Sequence, residues 1–255
     1  MRLFDTHCHL NMADAFPEPN EAIEASFAAG VTQLLVVGID LPSSRRAVEI
    51  ADRWEGVYAS VGLHPTEAGS WGRPAARELV DLAKHPKVIA WGECGLDYHW
   101  MTAPAEVQRE CLLEQLHLAA DLELPAVLHC RDAHRDLLGL LQSLDAPPPV
   151  LLHCFSGDAA DARRALALGC LLGFDGPLTY RRNAALRELV ASLPRERVVL
   201  ETDSPFLAPE PHRGKPNSPA WLPLINAKLA EVWGVDPEEA AEVTTANARR
   251  FFGLP

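Results

Sequence analysis

Short apolar segments alternate with longer amphipathic segments along this chain, and this alternation constrains the fold more than any other feature. Each apolar segment is only a few residues long, which favours a buried β-strand over a buried helix. The eight segments that we predict as strands are residues 2–6, 31–37, 57–61, 88–91, 126–128, 150–152, 170–174 and 198–200.

A predicted helix follows each predicted strand. The helices are residues 21–29, 43–54, 74–84, 105–122, 133–144, 159–168, 183–193, 220–233 and 237–252. In the segment 105–122 the apolar residues recur near the 3.6-residue helical period. Eight strands that alternate with helices predict an α/β fold, a parallel sheet closed into a TIM-like (β/α)8 barrel. An open, doubly wound sheet is the alternative.

The bulk composition is that of a globular protein. Its 255 residues match a barrel of about 250, so we expect residues 1–255 to form one domain. No apolar run reaches the roughly 18 residues that a membrane helix needs, so no membrane contact is expected. The N-terminus does not resemble a secretory signal, so we expect a cytoplasmic monomer whose six cysteines are reduced.

The net charge of −12 argues against a protein whose whole surface binds nucleic acid. It does not exclude an enzyme that acts on phosphodiesters, because bound cations and a few Arg or Lys side chains can supply local positive charge. No G-x-G-x-x-G motif follows the first predicted strand, so dinucleotide binding has no support.

Side chains that can bind metal ions follow six of the predicted strands. They are His7 and His9 after the first, His64 after the third, Glu93 after the fourth, His129 after the fifth, His153 after the sixth and Asp203 after the eighth. The carboxyl ends of barrel strands converge on one face, where active sites are built. A single His in such a place is more often structural, but this many at one end predict a metal site.

Four imidazoles and two carboxylates are enough to hold two metal ions. His7 and His9 are two residues apart, so both point to one face of a strand. Glu93 and Asp203 are the candidates for a bridge between the ions. Two ions about 3.5–4 Å apart can activate a water molecule for in-line displacement. We therefore expect two divalent ions per chain, Zn²⁺, Mn²⁺ or Mg²⁺, and nitrogen-rich ligation favours the first two.

Four cysteines directly follow proposed ligands: Cys8, Cys94, Cys130 and Cys154. A zinc–thiolate site is one interpretation of this spacing. However, adjacent residues of a strand face opposite sides. We therefore expect these thiols to pack against the helices as small hydrophobic groups.

Eight short motifs surround these residues. They are DTHCHL at 5–10, GLHP at 62–65, GECGLDY at 92–98, HCRDA at 129–133, HCFSG at 153–157, ETDSP at 201–205, RGKPNSP at 213–219 and NARRFF at 247–252. In this order, and over nearly the whole chain, they resemble the TatD family of metal-dependent deoxyribonucleases. The resemblance implies a TIM-like barrel of the amidohydrolase type with one to three divalent metals.

The resemblance also implies a role for each residue. The implied ligands, with Glu93 as the bridge, are His7, His9 and Asp203 for one ion and His129 and His153 for the other. Asp203 would also orient or deprotonate the attacking water, and His64 would contact a substrate phosphate. The implied activity is hydrolysis of DNA phosphodiesters, commonly by 3′-to-5′ exonuclease action and sometimes by endonuclease action.

Three basic residues are candidates for contacts with the DNA substrate. Arg131 follows the fifth strand, and Arg213 and Lys215 lie in the loop after the eighth. Because the protein is acidic overall, we expect DNA binding to be weak and sensitive to salt. Aromatic residues that can stack on a base, or pack in the core or at the rim instead, are Trp100, Tyr180 and Phe206.

Two other functions are compatible with the same residues. An amidohydrolase-type enzyme that cleaves esters or amides, such as an aminoacyl ester on a tRNA end, would use the same metals and water. A metal-binding or scaffold protein without turnover is the second alternative, and the complete ligand set disfavours it.

Overall fold

The computed structural model describes all 255 residues. The eight strands are β1 (Leu3–Cys8), β2 (Val31–Val37), β3 (Val57–Val61), β4 (Val88–Asp97), β5 (Ala126–Arg131), β6 (Val150–Leu152), β7 (Leu171–Phe174) and β8 (Val198–Leu200). The nine α-helices are α1 (Pro19–Ala28), α2 (Leu41–Asp52), α3 (Arg73–Ala83), α4 (Ala105–Asp121), α5 (His134–Ser143), α6 (Ala159–Ala167), α7 (Ala184–Ser192), α8 (Leu222–Trp233) and α9 (Pro237–Phe251). Short 3₁₀ helices span Pro65–Ser70, Gly176–Thr179, Arg195–Arg197 and Pro219–Trp221.

All eight strands are parallel and pair in the order of the sequence. The chain after β8 returns to β1. The His9 N–H donates to the Ser204 carbonyl oxygen at 2.8 Å, and the Asp203 N–H donates to the His7 carbonyl oxygen at 2.9 Å. The predicted (β/α)8 barrel is therefore confirmed, and the alternative of an open sheet is wrong.

Local sequence explains several helix ends. The Asp40 carboxylate accepts a hydrogen bond from the Ser43 N–H at 2.7 Å and caps α2. The Asp158 carboxylate caps α6 in the same way. Gly234 ends α8 in the left-handed conformation, with φ of 66°.

Two apolar clusters divide the interior of the protein. The larger one, of 54 residues, lies between the sheet and the helices. The smaller one has 11 residues, and it fills the barrel interior from strands β1, β2, β4, β5, β6, β7 and β8. Phe252 and Ala248, at the end of α9, pack on this smaller cluster. The barrel interior is thus filled with apolar side chains at the amino end of the strands, and polar side chains occupy the carboxyl end.

Irregular pairing in two strands decides which side chains face the barrel axis. In β4, Trp91 and Cys94 both belong to the larger apolar cluster although they are three residues apart. In a regular strand, residues three apart face opposite sides of the sheet. The pairing of β4 with β5 shifts register between them, as a β-bulge does, and Glu93 then faces the axis. In β1 the pairing with β2 shifts in the same way before Cys8, which is also in the larger apolar cluster.

Three strands extend beyond the ends predicted from their apolar runs. Strand β4 continues to Asp97, so Glu93 lies inside it and not after it. His7 lies inside β1 and His129 inside β5. The apolar run stops where the polar residues of the site begin, but the backbone continues to pair.

No helix is at once long and apolar enough to pass through a membrane. The organisation of residues 1–255 as one domain, the cytoplasmic location and the monomeric state stay predictions.

Gly95 in β4 allows close backbone contact beneath the site. Its φ is +149°, and a Cβ there would lie 2.0 Å from the carbonyl oxygen of His129. We expect Gly95→Ala to lower the free energy of unfolding by more than about 1 kcal/mol in urea titrations. Gly139 in α5 is the matched control, because no atom lies within 4 Å of a Cβ there. Gly139→Ala should raise it by about 0.5–1 kcal/mol, and equal effects at both sites would contradict this packing.

Candidate metal centre

The seven side chains singled out in the sequence meet at the carboxyl end of the barrel. They are His7 in β1, His9 directly after it, His64 after β3, Glu93 in β4, His129 in β5, His153 after β6 and Asp203 after β8. A cavity of about 420 Å³ opens on this face, and all of them except the fully buried His7 line it.

The carboxylate of Glu93 lies between two groups of imidazoles. Its Oε2 is 3.4 Å from His7 Nε2 and 3.8 Å from His9 Nε2. Its Oε1 is 2.8 Å from His153 Nε2 and 3.1 Å from His129 Nδ1. One oxygen therefore faces each group, which is the arrangement that a bridging carboxylate requires.

Asp203 belongs to the first group. Its Oδ1 is 3.4 Å from His9 Nε2 and 3.8 Å from His7 Nε2. Burial acts to raise the pKa of the Asp203 carboxyl, but the His9 hydrogen bond and the positive charge of nearby imidazoles hold it below its usual value. Three sets of side chains place their donor atoms within 4.8 Å of one another: His7, His9 and Glu93; His7, His153 and Asp203; and His64, Glu93 and His129.

The donor atoms fit divalent cations. The Nε2 atoms of His7 and His9 are 3.2 Å apart, and so are Nδ1 of His129 and Nε2 of His153. Two facing imidazole nitrogens need a proton or a cation between them, because two lone pairs repel each other. Burial acts to raise the pKa of Glu93, but the surrounding imidazoles hold it well below its usual range. Imidazole and carboxylate donors together suit Zn²⁺ or Mn²⁺.

Asp97 orients His129 from behind. Its Oδ2 accepts the Nε2–H of His129 at 2.9 Å, which leaves Nδ1 free to face Glu93. Its Oδ1 accepts the backbone N–H groups of His99 and Trp100 at 2.9 and 2.8 Å. Burial acts to raise the pKa of Asp97, but these hydrogen bonds, that of His129 above all, keep it at about 2. No role for Asp97 was predicted from the sequence, although it ends the same strand as Glu93.

Glu201 has a similar position behind His153. Its Oε1 lies 3.6 Å from His153 Nδ1 and accepts the backbone N–H of Cys154. Its Oε2 accepts a hydrogen bond from the Thr6 hydroxyl at 3.3 Å. Gly173 gives this carboxylate its space, since a Cβ there would lie 2.5 Å from Oε2. Glu201 was not predicted as a site residue either, and its place two residues before Asp203 on the same chain segment is the signal that could have identified it.

His64 presents a donor to the cavity. Its Nδ1 accepts the backbone N–H of Thr66 at 3.2 Å. Nδ1 also faces the Thr66 hydroxyl at 2.7 Å. In the tautomer whose Nδ1 accepts from both Thr66 groups, the ring proton is on Nε2, which is 3.6 Å from Glu93 Oε1. Burial lowers the pKa of His64 to about 4. A ring in this tautomer can donate a hydrogen bond to a substrate oxygen and cannot bind a metal through the same nitrogen.

The three predicted basic contacts have different positions. Arg131 lines the cavity, and its guanidinium lies 5.7 Å from the centre of the Trp100 ring. Arg213 and Lys215 are exposed and do not line this cavity. Arg213 instead lies over the Tyr180 ring, 4.3 Å from its centre.

The cysteines follow the packing interpretation with one exception. Cys8, Cys94 and Cys130 are buried in the larger apolar cluster, and no possible metal-binding group includes a thiol. All six cysteines are free thiols. Cys154 differs, because it is half-buried and belongs to neither apolar cluster. Burial and the neighbouring Asp175 raise the pKa of its thiol well above the usual value.

Residues 4–253 match the family described as TatD related DNase. The chain belongs to this family. YabD of Bacillus subtilis (strain 168), an uncharacterized metal-dependent hydrolase, is 38% identical to this TatD protein over 253 residues, which cover 99% of both. The 3′-5′ ssDNA/RNA exonuclease TatD of Escherichia coli (strain K12) is 34% identical over 258 residues, which again cover 99% of both.

A solved structure gives the same result. The crystal structure of YJJV, a TatD homologue from Escherichia coli K12, matches this TatD protein with a TM-score of 0.94 and 31% sequence identity. The match covers 100% of this chain and 99% of the other. The family and the fold predicted from the sequence are therefore both confirmed.

Asp97→Asn tests the role of this carboxylate behind His129. We expect it to weaken binding of Zn²⁺ or Mn²⁺ by about 10- to 100-fold in chelator-competition titrations, because His129 loses its orienting acceptor. Asp132→Asn is the matched control, since Asp132 is an exposed carboxylate near His99 that contacts none of the proposed ligands. Unchanged affinity in Asp97→Asn, or equal losses in both variants, would contradict this role.

Proposed function

We propose that this metal-dependent hydrolase of the TatD family cleaves phosphodiester bonds of single-stranded DNA or RNA from the 3′ end. The position of the Glu93 carboxylate between two groups of imidazoles carries the proposal, because phosphodiester hydrolysis is well served by two cations on either side of one carboxylate. Relatives named as 3′-5′ ssDNA/RNA exonucleases support the substrate and the direction.

The ligands that we propose form two sets that share Glu93. His7, His9 and Asp203 would hold one ion, and His129 and His153 would hold the other. Donors rich in nitrogen favour Zn²⁺ or Mn²⁺ over Mg²⁺. Bound divalent ions supply positive charge to the phosphoryl group and make a water molecule more acidic.

The residues of the chain orient the substrate and move the proton. The Nε2–H of His64 donates to a nonbridging oxygen of the scissile phosphate. Asp203 lines the cavity as an ionised carboxylate and accepts a proton from the attacking water. Arg131 lies at the wall of the same cavity and neutralises a neighbouring phosphate. The contacts of Arg213 and Lys215 would be with nucleotides farther along the strand.

Charge explains why we propose weak and salt-sensitive binding. The net charge of −12 repels a polyanion over most of the surface, so attraction is confined to the mouth of the barrel. The nuclease relatives favour this function over the hydrolysis of an ester or amide. Because the family consists of metal-dependent hydrolases, membership in it also argues against the alternative of a metal-binding or scaffold protein without catalytic activity.

A cleavage assay with a 5′-labelled single-stranded oligonucleotide tests the proposal. With Mn²⁺, Zn²⁺ or Mg²⁺ we expect a ladder of labelled products that shorten from the 3′ end. Glu93→Gln should reduce the rate by more than about 100-fold, since it removes the charged bridge of both proposed metal sites. The control is Glu67→Gln, an exposed residue of the neighbouring 3₁₀ helix, which should match the wild type. Absence of cleavage with every metal, or an identical ladder from Glu93→Gln, would overturn the proposal.

A further inference from the structure

Large apolar side chains are exposed beside the metal centre. The protein has five exposed large hydrophobic residues, and three of them, Trp100, Phe206 and Leu207, line the cavity of the site. A fourth, Met101, is the chain neighbour of Trp100. The Trp100 side chain is 62% exposed and that of Phe206 is 48% exposed. Exposed apolar groups that cluster at a cavity are typical of a binding surface.

The two aromatic rings lie on opposite sides of the barrel mouth. Trp100 follows β4, and the guanidinium of Arg131 at the end of β5 is 5.7 Å from its ring centre. Phe206 follows β8, and its ring centre is 6.0 Å from that of His9, directly after β1. In a closed barrel of eight strands, β4 and β5 lie opposite β8 and β1. Both rings line the cavity that the Glu93 carboxylate also lines.

The backbone of each of these two aromatic residues is hydrogen-bonded to a residue at the proposed metal centre. The Trp100 N–H donates to the Asp97 carboxylate at 2.8 Å. The Phe206 N–H donates to the carbonyl oxygen of Asp203 at 2.8 Å, and its own carbonyl accepts from the Asn217 side chain at 2.7 Å. The backbone of both residues is thus held beside the cavity, while their side chains are exposed.

The aromatic rings, the acidic surface and the volume of the cavity together indicate which class of ligand binds at the barrel mouth. Aromatic rings stack on any nucleobase, and a base offers its faces only when it is unpaired and unstacked. The acidic surface cannot supply affinity through phosphate contacts over a long footprint. Beyond the phosphate contacts of the proposed metal centre and its basic residues, stacking is the main source of affinity at the barrel mouth. The cavity of about 420 Å³ between the rings is within the range of roughly 300–1,000 Å³ that holds a small organic ligand such as one nucleotide.

We propose that Trp100 and Phe206 form a base-binding lip that stacks the unpaired bases on either side of the scissile phosphate. Arg131, beside Trp100, places positive charge next to the same nucleotide. The lip excludes paired ends, because a base inside a duplex is already stacked on its neighbours. This inference rests on the proposed phosphodiesterase function and assigns the residues that select single strands.

Two substrates separate base contacts from phosphate contacts. One is a single-stranded oligonucleotide, and the other is the same strand with abasic residues at its last three 3′ positions. We expect the wild type to show a KM about tenfold higher on the abasic strand, since stacking on each base is lost. Trp100→Leu and Phe206→Leu keep an apolar side chain without a ring, so each should raise KM on the normal strand by about tenfold.

On the abasic strand the Leu variants and the wild type should have the same KM, because no base is left to stack. Trp100→Tyr keeps a ring and should restore most of the affinity for the normal strand. EDTA removes divalent ions and so prevents cleavage. Dissociation constants measured by fluorescence anisotropy with the same two strands in EDTA should rank the wild type and the variants in the same order as their KM values. Thermal unfolding of each variant establishes that it is folded.

Two results would overturn the lip, and both leave the nuclease function intact. One is a wild type that cleaves both strands with equal KM. The other is a pair of Leu variants that raise KM equally on both strands, which would indicate a disturbed site and not a lost stack. A wild type that cleaves neither strand with any of the three metals would overturn the proposed function and the lip together.

Discussion

The repulsion among buried donor atoms around Glu93 is the constraint on which the rest of this structure depends. Five imidazoles and two carboxylates converge, and two pairs of ring nitrogens face each other at 3.2 Å. Such a cluster is costly to bury unless cations or protons lie between the donors. The barrel offsets this cost with a frame of packed and hydrogen-bonded residues that holds the donor atoms in place. The smaller apolar cluster fills the axis below it, and hydrogen bonds hold the His9 and His129 rings from behind.

That frame connects chemistry and recognition through shared residues. Asp97 accepts a hydrogen bond from His129 and also holds the backbone of Trp100. Asp203 completes the first group of donors, and its carbonyl holds the backbone of Phe206. Any shift of the metal centre would therefore move the aromatic rings at the mouth as well. In the function that we propose, a site built in this way would keep the scissile bond and the flanking bases in one register.

Much of the architecture could be predicted from the sequence, and there is a physical reason why the rest could not. Short apolar runs gave the strands, and the ends of parallel strands converge, so His7, His129 and Asp203 could be brought together without coordinates. Regular alternation could not show the bulge in β4, because an extra residue in one strand leaves no compositional mark. The role of Asp97 depends on that same bulge and on the continuation of β4. The path of Arg213 away from the cavity depends on loop contacts far from its own segment.

Anomalous X-ray diffraction from crystals soaked in Zn²⁺, recorded above and below the zinc absorption edge, tests the central claim most directly. We expect two zinc peaks in each molecule, one beside His7, His9 and Asp203 and the other beside His129 and His153. The two oxygens of Glu93 should contact one ion each. A single peak at full occupancy, or two peaks of which only one contacts Glu93, would contradict the two-metal centre.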